Sequence, residues 1–303
     1  MVTAFYNQCL MENKMNQSFA RSWRHIGLLV IIALQFRLIA LAQDLIPGKI
    51  TDIKFPKADL PPTLYTMMTG NEATPCLRVR LPDDYDPQKS YPLLVYVPGN
   101  DGGPKGNIVN AETIAGTHGW IAASLPLFKK SIDRSEFAGG VIVSFEDYPT
   151  LSKSYEIMLG RLFDLIPNID RGKSAMVGFS NGAITIGVLL SNHNEFILTH
   201  FKNFCLVDHG MFHLTDLYKK HAKDCRYLIL VGDKEDMGRD LKIRQSKLQQ
   251  DSWKLLDVNL SYQIMKDTGH EFEDRHTELV GKWLRNETLV ESPAKDNATP
   301  PRQ

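Results

Sequence analysis

Cysteine is scarce in this chain. There are four in 303 residues, and Cys9 lies within a stretch that reads as a removable leader. Cys76, Cys205 and Cys225 are left for the mature chain. An odd number keeps at least one thiol unpaired or shared between chains, and none of them has metal-ligand spacing. A bridge between Cys76 and Cys225 is open, while Cys205, inside an apolar run, reads as a small buried hydrophobe. Net charge is also missing, because 35 Lys and Arg are matched by 35 Asp and Glu. No basic stripe interleaves with aromatic residues, so a nucleic-acid partner is not expected. Long apolar runs are missing too. Gly27–Phe36 stops at Arg37 and is too short to cross a bilayer. There is no phosphate loop, dinucleotide fingerprint, metal cluster or internal repeat, so no metal and no cofactor is expected.

What is present begins with the leader. Arg21 and Arg24 precede the run Gly27–Phe36, and the segment leaves through Ala40-Leu41-Ala42. A basic flank, a short apolar core and a small-x-small exit describe a secretory signal peptide over 1–42, cut before Gln43. The expected localisation is secreted or periplasmic, with no stable membrane span after cleavage. Met11 and Met15 are alternative starts. From Asn286 onward the chain is rich in Pro, Asn, Glu and Lys and reads as a disordered tail over 286–303. Between them, 43–285 forms one domain, and a composition 43% apolar is enough for a large core.

Within that domain, strand and helix patterns alternate. Leu77–Leu81 alternates with period two and reads as a half-buried strand. Leu93–Val97 is continuously apolar, as a strand covered on both faces is. Further strands are expected over Trp120–Leu125, Ser174–Phe179, Phe204–Val207, Tyr227–Val231 and Leu260–Met265. Helices are expected over Ser152–Ile166, Asn181–Leu190, Leu214–Lys223, Leu241–Leu256 and Glu273–Arg285. This alternation implies an α/β fold, a mostly parallel twisted sheet with helices on both faces. Functional groups then belong in loops at the carboxyl ends of the strands.

Four such loops carry chemistry. Gly178-Phe179-Ser180-Asn181-Gly182 sits between strand and helix, where a tight turn exposes a serine hydroxyl and small neighbours are needed. Pro98-Gly99-Asn100-Asp101-Gly102-Gly103 follows Val97, and the N–H of Asn100, with Asp101 next, is placed to join that of Asn181 in an oxyanion hole. Gly232-Asp233-Lys234-Glu235-Asp236 follows Val231 and supplies carboxylates. Asp267-Thr268-Gly269-His270 follows Met265 and supplies a general base. A serine needs such a base, and the base needs an acid to fix its tautomer. The chain order is serine, acid, histidine.

Taken together, these motifs resemble the α/β-hydrolases over Cys76–Arg285, and most of all their secreted esterase branch, which includes feruloyl esterases and polyhydroxybutyrate-depolymerase-like esterases. The resemblance implies an α/β-hydrolase fold without a large cap domain. It implies a serine hydrolase that cleaves small-molecule or polymer-linked carboxylic esters through an acyl-enzyme. Ser180 would be the nucleophile, His270 the base and Asp236 the acid, with Glu235 and Asp233 as alternatives; Asn181 and Asn100 would form the oxyanion hole. Pro98-Gly99 stands where the family usually has His-Gly, and Glu235 holds the family's usual acid position, one residue before Asp236. A serine peptidase of prolyl-oligopeptidase type and a non-catalytic protein of the same fold are the alternative readings. His209, His213, Tyr148 and Trp120 are candidate cleft residues.

Overall fold

The computed structural model describes residues 45–67, 73–99, 102–128, 145–208, 221–234, 239–254 and 256–289. The leader, Asn100 and Asp101, His209 and His213, residues 214–220 of the helix expected over 214–223, Glu235 and Asp236, and the tail from 290 lie outside the described residues; 221 and 222 are helical.

Among the described residues, eight strands form one sheet: β1 (Ile50–Lys54), β2 (Cys76–Arg80), β3 (Leu93–Val97), β4 (Ile121–Ser124), β5 (Ala175–Phe179), β6 (Asn203–Val207), β7 (Arg226–Gly232) and β8 (Asn259–Met265). Their spatial order is β1-β2-β4-β3-β5-β6-β7-β8. β2 runs antiparallel to both neighbours, and the strands from β4 across to β8 are all parallel. The helices used below are α1 (Ile108–Ala115), α2 (Tyr148–Leu165), α3 (Asn181–Ser191), α4 (Glu195–His200), α5 (Arg239–Lys254) and α6 (Asp274–Leu284).

Side-chain alternation divides the core in two. Leu93, Val95 and Val97 of β3 join one apolar cluster, while Leu94 and Tyr96 join the other. The same split repeats in β7, where Tyr227, Ile229 and Val231 face one way and Leu228 and Leu230 the other. Successive Cβ atoms on a strand point to opposite faces, so a strand with helices over both faces must be apolar throughout. The buried inner faces of α2 and α3 belong to the first cluster, those of α1 and α6 to the second. α1 and α6 approach so closely that a Cβ on Gly281 would sit 2.9 Å from Ile114 O.

β2 differs from its expected half-buried state, since four of its five residues are buried. It lies inside the sheet, between β1 and β4, and Arg80 is buried with ion pairs to Asp83 and Glu112. α1 and α4 have no counterpart in the sequence reading; both are short and are capped by asparagines, Asn107 and Asn194. All three described cysteines are free and buried. Cys76 on β2 and Cys225 at the head of β7 are separated by five strand steps, about 24 Å at the usual strand spacing. A disulfide needs Cα atoms within about 7 Å, so that bridge is excluded.

The crossing of β5 and α3 depends on two missing side chains. A Cβ on Gly178 would meet the Gly182 carbonyl at 2.6 Å, and one on Gly182 would meet Val97 O at 2.0 Å. Both obstacles are backbone and cannot turn aside. Gly182→Ala is therefore expected to cost about 2–3 kcal/mol, measured as a lowered urea midpoint at unchanged m-value.

Candidate active site

Ser180 follows the last residue of β5 and precedes the first of α3. Its φ is 52°, in the left-handed region that L-residues avoid. Its N–H donates to Val207 O at 2.9 Å, and its carbonyl accepts from Ile184 N at 3.0 Å. The backbone is thus held from the neighbouring strand on one side and the new helix on the other. Asn181 is the first residue of α3, so its N–H belongs to the group for which the helix supplies no acceptor and which capping groups or ligands satisfy. The loop leaving β3 crosses the same point, because a Cβ on Gly182 would also lie 2.6 Å from Pro98 O.

His270 lies in the loop between β8 and α6. Its Nε2 is 2.8 Å from Ser180 Oγ. Its Nδ1 is hydrogen-bonded to Asp208 Oδ2. The carboxylate on His270 therefore comes from the end of β6, where the sequence reading placed it after β7. Asp208 is fully buried and, like Ser180, has a left-handed backbone, with φ 54°. Its N–H donates to Leu230 O at 2.7 Å, and its Oδ1 accepts from Gly232 N at 3.3 Å. A buried carboxylate must be hydrogen-bonded to persist, and this one is held by the strand and loop beside it. Asp233, an alternative acid, is exposed, and its backbone N–H donates to Met265 O.

Asp208 was legible in principle. It directly follows the apolar run Phe204–Val207, at the carboxyl end of the strand beside the serine's own. The neighbouring loop, with three carboxylates close together, gave the stronger one-dimensional signal.

Aromatic rings pack against the histidine. Phe179 is 5.1 Å from the His270 ring, and Phe272 stacks on Phe179 at 5.9 Å and on Tyr96 at 6.3 Å. The His270 side chain keeps 39% of its surface exposed, while Ser180 beside it is buried. Two candidate cleft residues lie elsewhere. Trp120 precedes β4 and shares a depression with Lys173, Asn203 and Arg226, at the amino ends of the strands. The Tyr148 hydroxyl is 3.5 Å from Asn194 Nδ2, past the far end of α3, a helix about 16 Å long at 1.5 Å per residue.

The geometry has a definite chemical capacity. With the His270 Nδ1–H donated to Asp208, Nε2 is the ring's acceptor and takes the Ser180 hydroxyl proton in a hydrogen bond. A proton can pass along that bond while the carboxylate stabilises the resulting imidazolium. Gly232 helps to hold the two loops in register, since a Cβ there would lie 2.3 Å from Thr268 O and 2.6 Å from Gly269 O. Gly232→Ala is expected to displace the histidine loop at a cost of about 1–3 kcal/mol, measured as a lowered urea midpoint and a shift of the His270 ring resonances.

Among the described residues, no group of three or more His, Cys, Asp and Glu is placed to hold a metal. Among them, too, no helix is long and apolar enough to cross a membrane.

No protein-family model matches the chain, and no curated protein matches it. Solved structures do. LpqC, a poly(3-hydroxybutyrate) depolymerase from Bordetella parapertussis, is 13% identical, with a TM-score of 0.51 over 80% of this chain and 92% of that one. A feruloyl esterase module from Clostridium thermocellum is 12% identical, with a TM-score of 0.49 over 82% of this chain and 92% of that one. A thermostable esterase is 16% identical, with a TM-score of 0.48 over 78% of this chain, which spans 59% of that protein's length. The likeness to LpqC is one of fold, over four fifths of this chain. This chain has the α/β-hydrolase fold.

Proposed function

We propose that the protein is a secreted serine hydrolase that cleaves carboxylic esters through an acyl-enzyme. The observation that carries this is the unbroken run of hydrogen bonds from Ser180 Oγ through both ring nitrogens of His270 to Asp208. A serine hydroxyl is a weak nucleophile until a base removes its proton as it attacks. In this reading His270 takes that proton, returns it to the leaving alcohol, and then activates a water to release the acid. Asp208 holds the tautomer and balances the charge. The developing oxyanion is received by the Asn181 N–H together with one from the loop after Pro98, where Asn100 is the expected donor.

Secretion rests on the leader over 1–42. The partly exposed His270 side chain suits an ester presented at a surface, either short-acyl or linked to a polymer such as the one LpqC is named for.

The test is to treat the purified protein with a fluorophosphonate probe and to assay 4-nitrophenyl acetate and butyrate, a feruloyl ester, poly(3-hydroxybutyrate) and a peptide amide. Labelling at one serine, with turnover of esters but not of the amide, is expected. Turnover of the amide would move the protein to the peptidases. A folded protein that neither labels nor turns over any substrate would sink the hydrolase reading.

A further inference from the structure

We propose that Thr268 is a positioning residue for His270, and that Arg275 and His276 from the first turn of α6 lock its hydroxyl. The proposal rests on the hydrolase reading above and names the device that aims its base.

Thr268 lies two residues before His270 and is fully buried. Its hydroxyl donates to Lys266 O at 2.9 Å. The same oxygen accepts from Arg275 Nη2 at 2.8 Å. The third partner is His276 Nε2, at 3.2 Å. The direction of that contact follows from the other side of the ring. His276 Nδ1 accepts the Glu273 N–H at 3.2 Å, so the ring proton is on Nε2 and points at Thr268. His276 is itself fully buried and fixed by the capping box of α6. A hydroxyl has one proton to give and two lone pairs to fill, and all three are used.

The backbone of Thr268 is held as well. Its carbonyl accepts from Lys234 N at 3.0 Å and lies against Gly232. Arg275 closes the ring by bonding Lys266 O at 2.9 Å and pairing with Glu273 at 2.7 Å.

A valine would fill the same space. What the hydroxyl adds is a fixed rotation of the peptide two residues ahead of the base. Catalytic groups must be held within about 0.5 Å and 10–20° of their working geometry. Beyond His270 the chain passes Phe272 and enters the turn of α6 that carries both clamps. The loop bearing the base is therefore tied at both ends to one helix.

The test compares Thr268→Val, which keeps the shape and loses the hydroxyl, with Thr268→Ser, which keeps the hydroxyl. Arg275→Met is the second probe, in case the valine variant does not fold. Turnover of 4-nitrophenyl acetate is one readout. The far-downfield proton resonance of His270 Nδ1–H, which reports its bond to Asp208 without any turnover, is the other. The expected result is a kcat lowered tenfold to a hundredfold in Thr268→Val, at KM within about twofold. The downfield proton should shift or broaden, and Thr268→Ser should recover kcat to within about threefold. Unchanged kcat and an unmoved resonance in Thr268→Val, or in Arg275→Met if that variant must stand in, overturn the proposal. Equal losses in Thr268→Ser and Thr268→Val also overturn it. If the wild type turns over no ester, the hydrolase reading fails, and the resonance alone still decides whether Thr268 sets the histidine.

Discussion

Replacing Ser180 with alanine is expected to remove fluorophosphonate labelling completely and to lower ester turnover by about a million-fold, to the level that binding and an oxyanion hole alone provide. The size follows from what is removed. Ser180 Oγ is the atom placed 2.8 Å from His270 Nε2, and without it the base has no hydroxyl to activate. The loss should be one of chemistry alone. Alanine has a Cβ as serine does, so it meets the same left-handed backbone at no added strain, and the Ser180 backbone bonds to Val207 and Ile184 do not involve the side chain. Melting temperature should stay within a degree or two. The experiment is labelling and turnover beside a melting curve. A variant that still labels would place the nucleophile at another serine, and one that melts far below wild type would make the lost activity uninformative.

The second large effect concerns the acid. Asp208→Asn is expected to lower kcat about a thousand- to ten-thousandfold at neutral pH. A carboxylate at His270 Nδ1 accepts, so the ring carries its proton there and leaves Nε2 to receive the serine's. An amide nitrogen at the same place donates, which drives the ring proton to Nε2 and blocks the transfer. The fold should tolerate the change, because the amide oxygen can still accept from Gly232 N and a buried formal charge is removed. Asp236→Asn, by the same assay, should leave turnover within about twofold. The pair of variants separates the two origins of the acid. A loss in Asp236→Asn with full activity in Asp208→Asn would return the role to the loop after β7.

That contrast also shows where the sequence was readable. The serine turn could be read locally, because glycines four residues apart and an apolar run before a helical one all describe one feature. β3 was read to the residue, since only a strand covered on both faces tolerates five apolar residues in a row. The histidine loop was marked by its place after the last strand. The acid had a mark of the same kind, its place after β6, but the loop after β7 carried a stronger one, and a physical reason keeps the two from being separated in one dimension. The ends of β6 and β7 lie side by side, about 4.8 Å apart, and a carboxylate from either can approach the same ring. Which one does depends on backbone direction at the strand end, and aspartate suits the left-handed turn at Asp208 but is equally at home in an ordinary loop such as the one after β7. Burial of β2 was missed for a related reason. Its Arg80 looks solvent-facing in one dimension, and it is buried with Asp83, three residues on, and Glu112, which arrives from a distant part of the chain.

The left-handed residues have a consequence for how this protein can be improved. Ser180 at φ 52°, Asp208 at 54° and Asp267 at 51° bring that conformation to the serine, to its acid and to the loop of its base. Each such residue costs the folded state on the order of 1–3 kcal/mol. Glycine at any of the three would relax the backbone and, at the first two, disarm the proton relay. In the hydrolase reading, heat resistance and catalysis are therefore opposed at Ser180 and Asp208. A selection for survival at high temperature alone would drift toward inert variants, and stabilising changes are better sought in α2 and at the β1 edge, where no residue of the proposed site is at stake.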